Sequence, residues 1–290
     1  MHGGAFLAHC QETEGLADVP LPSCVAESSV AARPGYQTAT AAEYLDLPKV
    51  LTAKVDFLLS MWLRSPYALV YTGAGISTAA GIKDYASRAT RSLVQPTDSV
   101  NRKTLPPTLA HRVLAAMEKR GHVHHWLQQN HDGLAQKAGF PTDKLNEIHG
   151  SWFDRHNPVL AMDQALRPDL FAWMTDCSDR ADLVIAMGTS LCGMTSDMCV
   201  SQCAARYGGG GTATAAAADG RGRGQGVVII GLQRTAMDNV ASLRFFAKID
   251  DVMSLVAKRL RLKLDTRDYD VPRRPPPKFK AVKRRAHSSH

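Results

Sequence analysis

Short apolar runs separated by helical periodicities constrain this chain more than any other feature. Residues 67–71 (YALVY), 123–128 (VHHWLQ), 182–187 (DLVIAM) and 226–230 (GVVII) have the length and apolar character of strands buried on both faces. Helical patterns lie between them at 109–117, 168–180 and 196–206, and another follows at 250–264. Strands buried on both faces need helices on both faces. The alternation therefore predicts an α/β fold with a doubly wound parallel sheet.

Flanking patterns set the boundaries. Apolar residues recur at helical spacing over 44–63 (Leu47, Val50, Leu51, Val55, Leu58, Leu59, Trp62), with a break near Pro48. After Pro107, Thr108 is placed to cap a helix whose stripe is Leu109, Val113, Leu114 and Met117, and Gly121 stops it. Residues 1–40 lack periodicity and read as a mobile N-terminal extension, leaving 41–265 as the folded domain. Within it, the Gly/Ala-rich stretch 207–225 reads as a disordered surface loop, and 266–290 as an extended, basic, proline-rich tail.

A length of 290 residues permits one substantial core. No apolar run reaches the roughly 18 residues needed to cross a bilayer, and the first residues carry no basic and apolar leader pattern. The expectation is a protein inside the cell with no membrane contact. Cysteines at 10, 24, 177, 192, 199 and 203 form no C-x-x-C pair; Cys199 and Cys203 are half a zinc site at best, and free thiols are the simpler reading. Of the formal charge of +8, the residues from Thr266 onward carry +6, so the body is nearly neutral. The cluster 278–285 (KFKAVKRR) suits nuclear targeting or nucleic-acid contact, and otherwise serves as a solubilising end.

Five segments carry the chemistry. In Thr72-Gly73-Ala74-Gly75-Ile76-Ser77, glycines after a buried strand allow a sharp turn and a close approach to phosphate at a helix N-terminus. Thr78 stands where a third fingerprint glycine belongs, and there is no Gly-Lys-Ser/Thr of a Walker loop, so a ligand-free turn is the alternative. Gln129-Asn130-His131-Asp132 follows a strand, at the edge where parallel sheets bind ligands; an Asx-type turn is the other reading. His149, in Glu147-Ile148-His149-Gly150, is either structural or a general base for a sugar hydroxyl. Gly188-Thr189-Ser190-Leu191 and Gly231-Leu232-Gln233-Arg234-Thr235 occupy the same position after later strands, suited to phosphate or ribose contact or to plain helix capping.

Taken together and in order, YTGAGISTAA (71–80), QNHDGL (129–134), EIHG (147–150), GTSL (188–191) and LQRT (232–235) resemble the sirtuin family over roughly 41–264. The likeness is closest to the class IV-like branch with YTGAGIST and a final N-L-Q-x-T. The resemblance implies a Rossmann-like NAD-binding domain and an NAD-dependent protein-lysine deacylase, which transfers the acyl group to ADP-ribose and releases nicotinamide. It implies that Gly73, Ala74, Gly75 and Ser77 cradle the NAD phosphates, and that Gln129, Asn130 and Asp132 shape the nicotinamide and ribose pocket. His149 would be the general base, with Asn130 and Asp132 completing the catalytic set. Gly188, Thr189, Ser190, Gly231 and Leu232 would hold the adenosine side.

Three departures from the family pattern qualify this. G-I-P-D-F-R appears as Gly81-Ile82-Lys83-Asp84-Tyr85-Ala86; Asp84 and Tyr85 remain, but Ala86 replaces an arginine, and Arg88 is the substitute. Loss of such a charge-assisted contact costs about 1.5–3 kcal/mol. The family's four zinc cysteines and its F-G-E segment are missing between His149 and GTSL, so a reduced small lobe and no zinc are expected. Gly231 stands where the family has asparagine. The implied partners are acylated protein lysines, histones among them, and the implied location is the nucleus, with the cytoplasm as the alternative. The alternatives are an NAD hydrolase or ADP-ribosyltransferase, and a non-catalytic NAD-binding chromatin protein.

Overall fold

The computed structural model describes residues 20–33, 36–84, 87–94, 101, 104–161, 164–207 and 224–271. Four short strands come first: β1 (Ser23–Ala26), β2 (Ala31–Arg33), β3 (Tyr36–Thr40) and β4 (Glu43–Leu45). β1 pairs antiparallel with β4, and β2 with β3. The extension expected to be mobile is thus paired backbone over much of 23–40, and residues 1–19 lie outside the described residues. Tyr44 also departs from expectation. It sits in β4 rather than in a helix because its N–H is used by the carbonyl of Leu232, 2.9 Å away.

Helix α1 (Pro48–Arg64) begins at the proline that reads as a break, since a first-turn proline has no intrahelical N–H bond to lose. Its buried stripe includes Val50, Val55, Leu58, Leu59 and Trp62. Then follow β5 (Ala68–Thr72), α2 (Leu109–Lys119), β6 (His125–Gln128), the short α3 (Leu134–Lys137), β7 (Leu145–Glu147), α4 (Pro168–Arg180), β8 (Leu183–Met187), α5 (Met198–Tyr207), β9 (Gly226–Gly231), β10 (Leu243–Phe246) and α6 (Ile249–Arg259). Thr108 caps α2 as expected, accepting from the His111 N–H at 3.4 Å. Asp250 adds a carboxylate at the same helix N-terminus, accepting from the Ala110 N–H at 2.9 Å.

The main sheet has six strands in the order β10-β9-β8-β5-β6-β7, all parallel. Strand periodicity divides its side chains between two cores. Val70, Trp126, Ile185, Val228 and Phe245 pack on the face covered by α1, α2 and α6. Leu69, Leu127, Val184, Ala186 and Ile229 pack on the face covered by α4 and α5. This is the doubly wound α/β architecture the alternation predicts.

β7 and β10 escape a reading by apolar runs because each carries a buried polar residue. Asn146 donates to the Leu170 carbonyl at 2.9 Å, and Arg244 pairs with Asp238 at 2.8 Å. The domain also continues past 265. Arg112 donates to the Asp265 and Arg267 carbonyls, each at 2.9 Å, and the Tyr269 N–H donates to Lys137 O at 2.9 Å. The expected tail beyond 271 and most of the 207–225 loop lie outside the described residues.

Candidate functional site

β5 and β8 are adjacent, but the chain continues from them toward opposite edges of the sheet. Such a switch point leaves a crevice at the carboxyl ends of the strands. The backbone at that crevice is tightly drawn. The Gly73 N–H donates to Met187 O at 3.1 Å, and the Gly75 N–H to Gly188 O at 2.9 Å. A β-carbon on Gly75 would lie 2.6 Å from the Gly188 Cα, and one on Gly73 would lie 2.7 Å from the Gly188 oxygen. Gly188 has φ +62°. The glycines are therefore needed first for the two loops to meet. A 3-10 helix, Ala74–Ala80, begins directly after Gly73.

Beside this contact lies a cleft of about 420 Å³, lined by Gly75, Asp84, Leu93, Gly188, Gly231 and Leu232 together with further residues of the same loops. Its size is that of a small-molecule or cofactor site. A β-carbon on Gly231 would meet nothing within 4 Å, so the wall recedes there. Asp84 caps its own turn, accepting from the Ser87 N–H at 2.8 Å and the Ser87 hydroxyl at 3.1 Å. A cleft at the switch point, floored by glycine backbone, fits a dinucleotide.

Ser77 is fully buried behind the glycine turn. It donates to Asp132 Oδ2 at 2.6 Å and accepts from Asn130 Nδ2 at 3.0 Å, while Asp132 Oδ1 takes the Leu134 N–H at 3.0 Å. Gln129 donates to the Tyr71 hydroxyl and to Thr189 Oγ1 at 3.3 Å. Tyr71, in turn, bonds Ser196 and Asp197, each at 2.7 Å. Burial and the Asp197 carboxylate hold the Tyr71 phenol well above its ordinary range, so it is a neutral donor.

His149 and His131 line a second cavity of about 510 Å³, walled by Leu160, Leu166, Phe171 and Met194 among others. His131 Nδ1 contacts Gly150 O at 2.9 Å, and the Leu160 N–H donates to His149 O at 3.0 Å. Gly150 is held at φ +95° against Pro158. Glu147 pairs with Gln128 Nε2 at 3.1 Å, and burial pushes its carboxyl up to about 7. Two loops run from cleft to cavity: 188–195, which lines the cleft at Gly188 and the cavity at Gly193–Thr195, and 129–132, which joins Thr189 to His131.

Of the residues singled out in the sequence, Gly75, Asp84, Gly188, Gly231 and Leu232 border the cleft. Ser77, Gln129, Asn130, Asp132 and Thr189 form the polar layer behind it. Gly73 and Ala74 open the 3-10 helix, and Ser190 lies in the loop between, its carbonyl taking the Ala236 N–H at 3.3 Å. Arg88 is exposed and does not line the cleft, so the expected replacement for the missing arginine is not seen there. Tyr85 and Ala86 lie outside the described residues. Leu93, Val94 and Lys248 line the cleft unannounced by any motif. Among the described residues, no group of three or more His, Cys, Asp or Glu side chains is close enough to hold a metal.

Comparison with known proteins bears on the same elements. The Sir2 family model matches residues 89–159, the stretch holding Asn130, Asp132 and His149. The NAD-dependent protein deacetylase SRT1 of Oryza sativa subsp. indica is 28% identical over 264 residues, covering 77% of this chain and 51% of that protein. The human NAD-dependent protein deacetylase sirtuin-7 is 28% identical over 271 residues, covering 77% and 64%. The chain thus spans about half to two thirds of the length of these relatives. A solved structure of Sir2 with a p53 peptide and NAD+ superposes with a TM-score of 0.57 at 20% identity, covering 71% of this chain and 98% of the other. Family model and relatives point the same way, and the fold agrees with them: the chain is similar to the sirtuin, or Sir2, family.

Proposed function

We propose that this protein is an NAD-dependent protein-lysine deacylase. The observation that carries the reading is the buried Ser77–Asn130–Asp132 cluster, lying between a dinucleotide-sized cleft and the cavity that holds His149. Bound NAD supplies a breakable nicotinamide–ribose bond and a sugar hydroxyl to receive the acyl group. Ser77 fixes the Asp132 carboxylate and the Asn130 amide before ligand arrives, so their orientation carries no reorganisation cost at the moment of reaction. His149, half-buried and facing the second cavity, takes a proton from a sugar hydroxyl. Leu160, Leu166, Phe171 and Met194 give that cavity an apolar wall for the acylated lysine.

The reading includes no zinc lobe. Between His149 and β8 the sole cysteine is Cys177, buried in α4, and burial pushes its thiol up to about 12. A thiol so reluctant to ionise is a poor metal ligand. The YTGAGIST motif (71–78) and the LQRT segment (232–235) support a place in the class IV-like branch.

Incubation of the purified protein with acetylated peptide and NAD tests the reading. Deacylated peptide that forms only with NAD supports it, and full activity in His149→Ala would remove the assigned mechanism. Nicotinamide released equally fast without peptide would make the protein an NAD hydrolase instead. Binding of NAD without turnover would leave a non-catalytic role.

The basic stretch 278–285 supports a nuclear location, with acylated histones among the substrates and nucleic acid as a contact of the tail. A full-length fluorescent fusion that stays out of the nucleus would remove this part of the proposal.

A further inference from the structure

Glu43 opens β4, far in sequence from every motif above, and its side chain is fully buried. Its carboxylate spans two loops. Oε1 accepts from the Ser92 hydroxyl at 2.5 Å and from Gln233 Nε2 at 3.3 Å, and Oε2 accepts from the Leu93 N–H at 2.7 Å. The backbone repeats the attachment on one side: Glu43 bridges Gln233, and the Tyr44 N–H donates to Leu232 O. All three side-chain partners are neutral donors, and among the described residues no lysine or arginine pairs with this carboxylate.

Both loops so held are walls of the nucleotide-sized cleft. Leu93 and Val94 line it from one side, Leu232 and Gln233 from the other. The first wall follows the Gly81–Ala86 segment, where the family arginine is missing, and the described part of it (87–94) contains no helix or strand. A wall without regular backbone pairing is positioned by whatever side chains grip it. A charge buried among neutral donors is costly for stability alone, and replacement by an apolar group would serve packing equally well.

We infer that Glu43 is a positioning residue for the cleft: one carboxylate clasps the 92–94 wall to the 232–233 wall and sets the gap that receives the nucleotide. The inference rests on the NAD-binding reading for its functional consequence and on Glu43 alone for its geometry. A glutamine at 43 can still accept from the Leu93 N–H while its N–H₂ donates to the Ser92 hydroxyl, so it keeps the 92–94 wall; a leucine removes every acceptor and releases both walls. An aspartate is one methylene shorter and cannot reach both walls from the same backbone position.

The test uses the full chain and two variants, Glu43→Leu and Ser92→Ala; the second removes one bond of the clasp and leaves the Glu43 side chain in place. Calorimetry with NAD should show affinity about tenfold weaker in Glu43→Leu and a smaller loss in Ser92→Ala. In turnover, KM for NAD rises in the same order while kcat changes little. Hydrogen exchange should be faster at the Leu93 amide, with amides of β5 and α1 unchanged. A general loss of stability would not give that confined pattern. Unchanged exchange at Leu93 in Glu43→Leu overturns the clasp, as does unchanged NAD affinity in that variant when the wild type binds NAD. If the wild type binds no NAD, the functional proposal falls, and the exchange at Leu93 still decides the clasp.

Discussion

Gly75 and Gly188 meet backbone to backbone, so that a β-carbon on either would lie 2.6 Å from the Cα of the other. This contact joins the loop after β5 to the loop after β8 at the switch point of the sheet. It is the floor on which the cleft is built, and it makes both glycines sensitive to the smallest substitution.

Gly188→Ala should destabilise the fold. The new methyl has no space, and φ +62° is strained for alanine. Overpacking of this kind costs about 1–3 kcal/mol. Urea denaturation should show a lower midpoint at unchanged slope, and an unchanged midpoint would contradict the close contact.

Gly231→Asn should do the opposite at the other side of the cleft. A side chain there meets open space, and asparagine is the residue that the resemblance to the sirtuin pattern implies at that position. Stability should move by no more than about 0.5 kcal/mol. NAD affinity should rise several-fold in calorimetry, and weaker binding would show that the cleft does not take the nucleotide as proposed.

Ser77→Ala removes the donor to Asp132 Oδ2 and the acceptor of Asn130. An unsatisfied buried group costs about 1–3 kcal/mol, which should appear as a lower unfolding midpoint. Nicotinamide release should fall about tenfold or more. Normal release from a destabilised variant would separate this cluster from the chemistry.

Glu147 predicts a pH effect with a definite sign. Burial raises its carboxyl from 4.5 to about 7, so between those values the native state holds a proton that the unfolded chain has lost. The native state then binds more protons, and stability falls as pH rises through that window. The imidazoles of buried His111 and half-buried His125, lowered from 6.5 to about 4, act oppositely and add stability as pH rises from 4 to 6.5. Wild type therefore has to be compared with Glu147→Gln. The variant should gain stability relative to wild type between about pH 4.5 and 7, and a flat difference would show that Glu147 is ionised in the fold.

Much of the sheet was legible from local pattern. α4 runs over Pro168–Arg180 as its periodicity predicts, and β5, β6, β8 and β9 lie within two residues of the apolar runs. The glycine turn, Asn130, Asp132 and His149 were legible because each directly follows a strand or precedes a turn glycine, where backbone geometry restricts residue type. Less was legible at the sheet edges. β7 and β10 carry Asn146 and Arg244, whose burial depends on partners outside their own strands: the Leu170 carbonyl for one, and Asp238 with the Gly231 carbonyl for the other.

The sequence by itself determined the α/β alternation, the resemblance to the sirtuin family and the residue types around the cleft, since these follow from periodicity and from motifs of adjacent residues. Only the tertiary structure decided that Ser77 joins Asn130 and Asp132, that Arg88 stays outside the cleft, that His149 faces a separate cavity, and that Glu43 grips both cleft walls. The reason is the range of the interactions. Backbone periodicity is fixed by neighbours a few residues apart, whereas Glu43 and Gln233 are separated by 190 positions and meet only when the sheet brings β4 beside the end of β9.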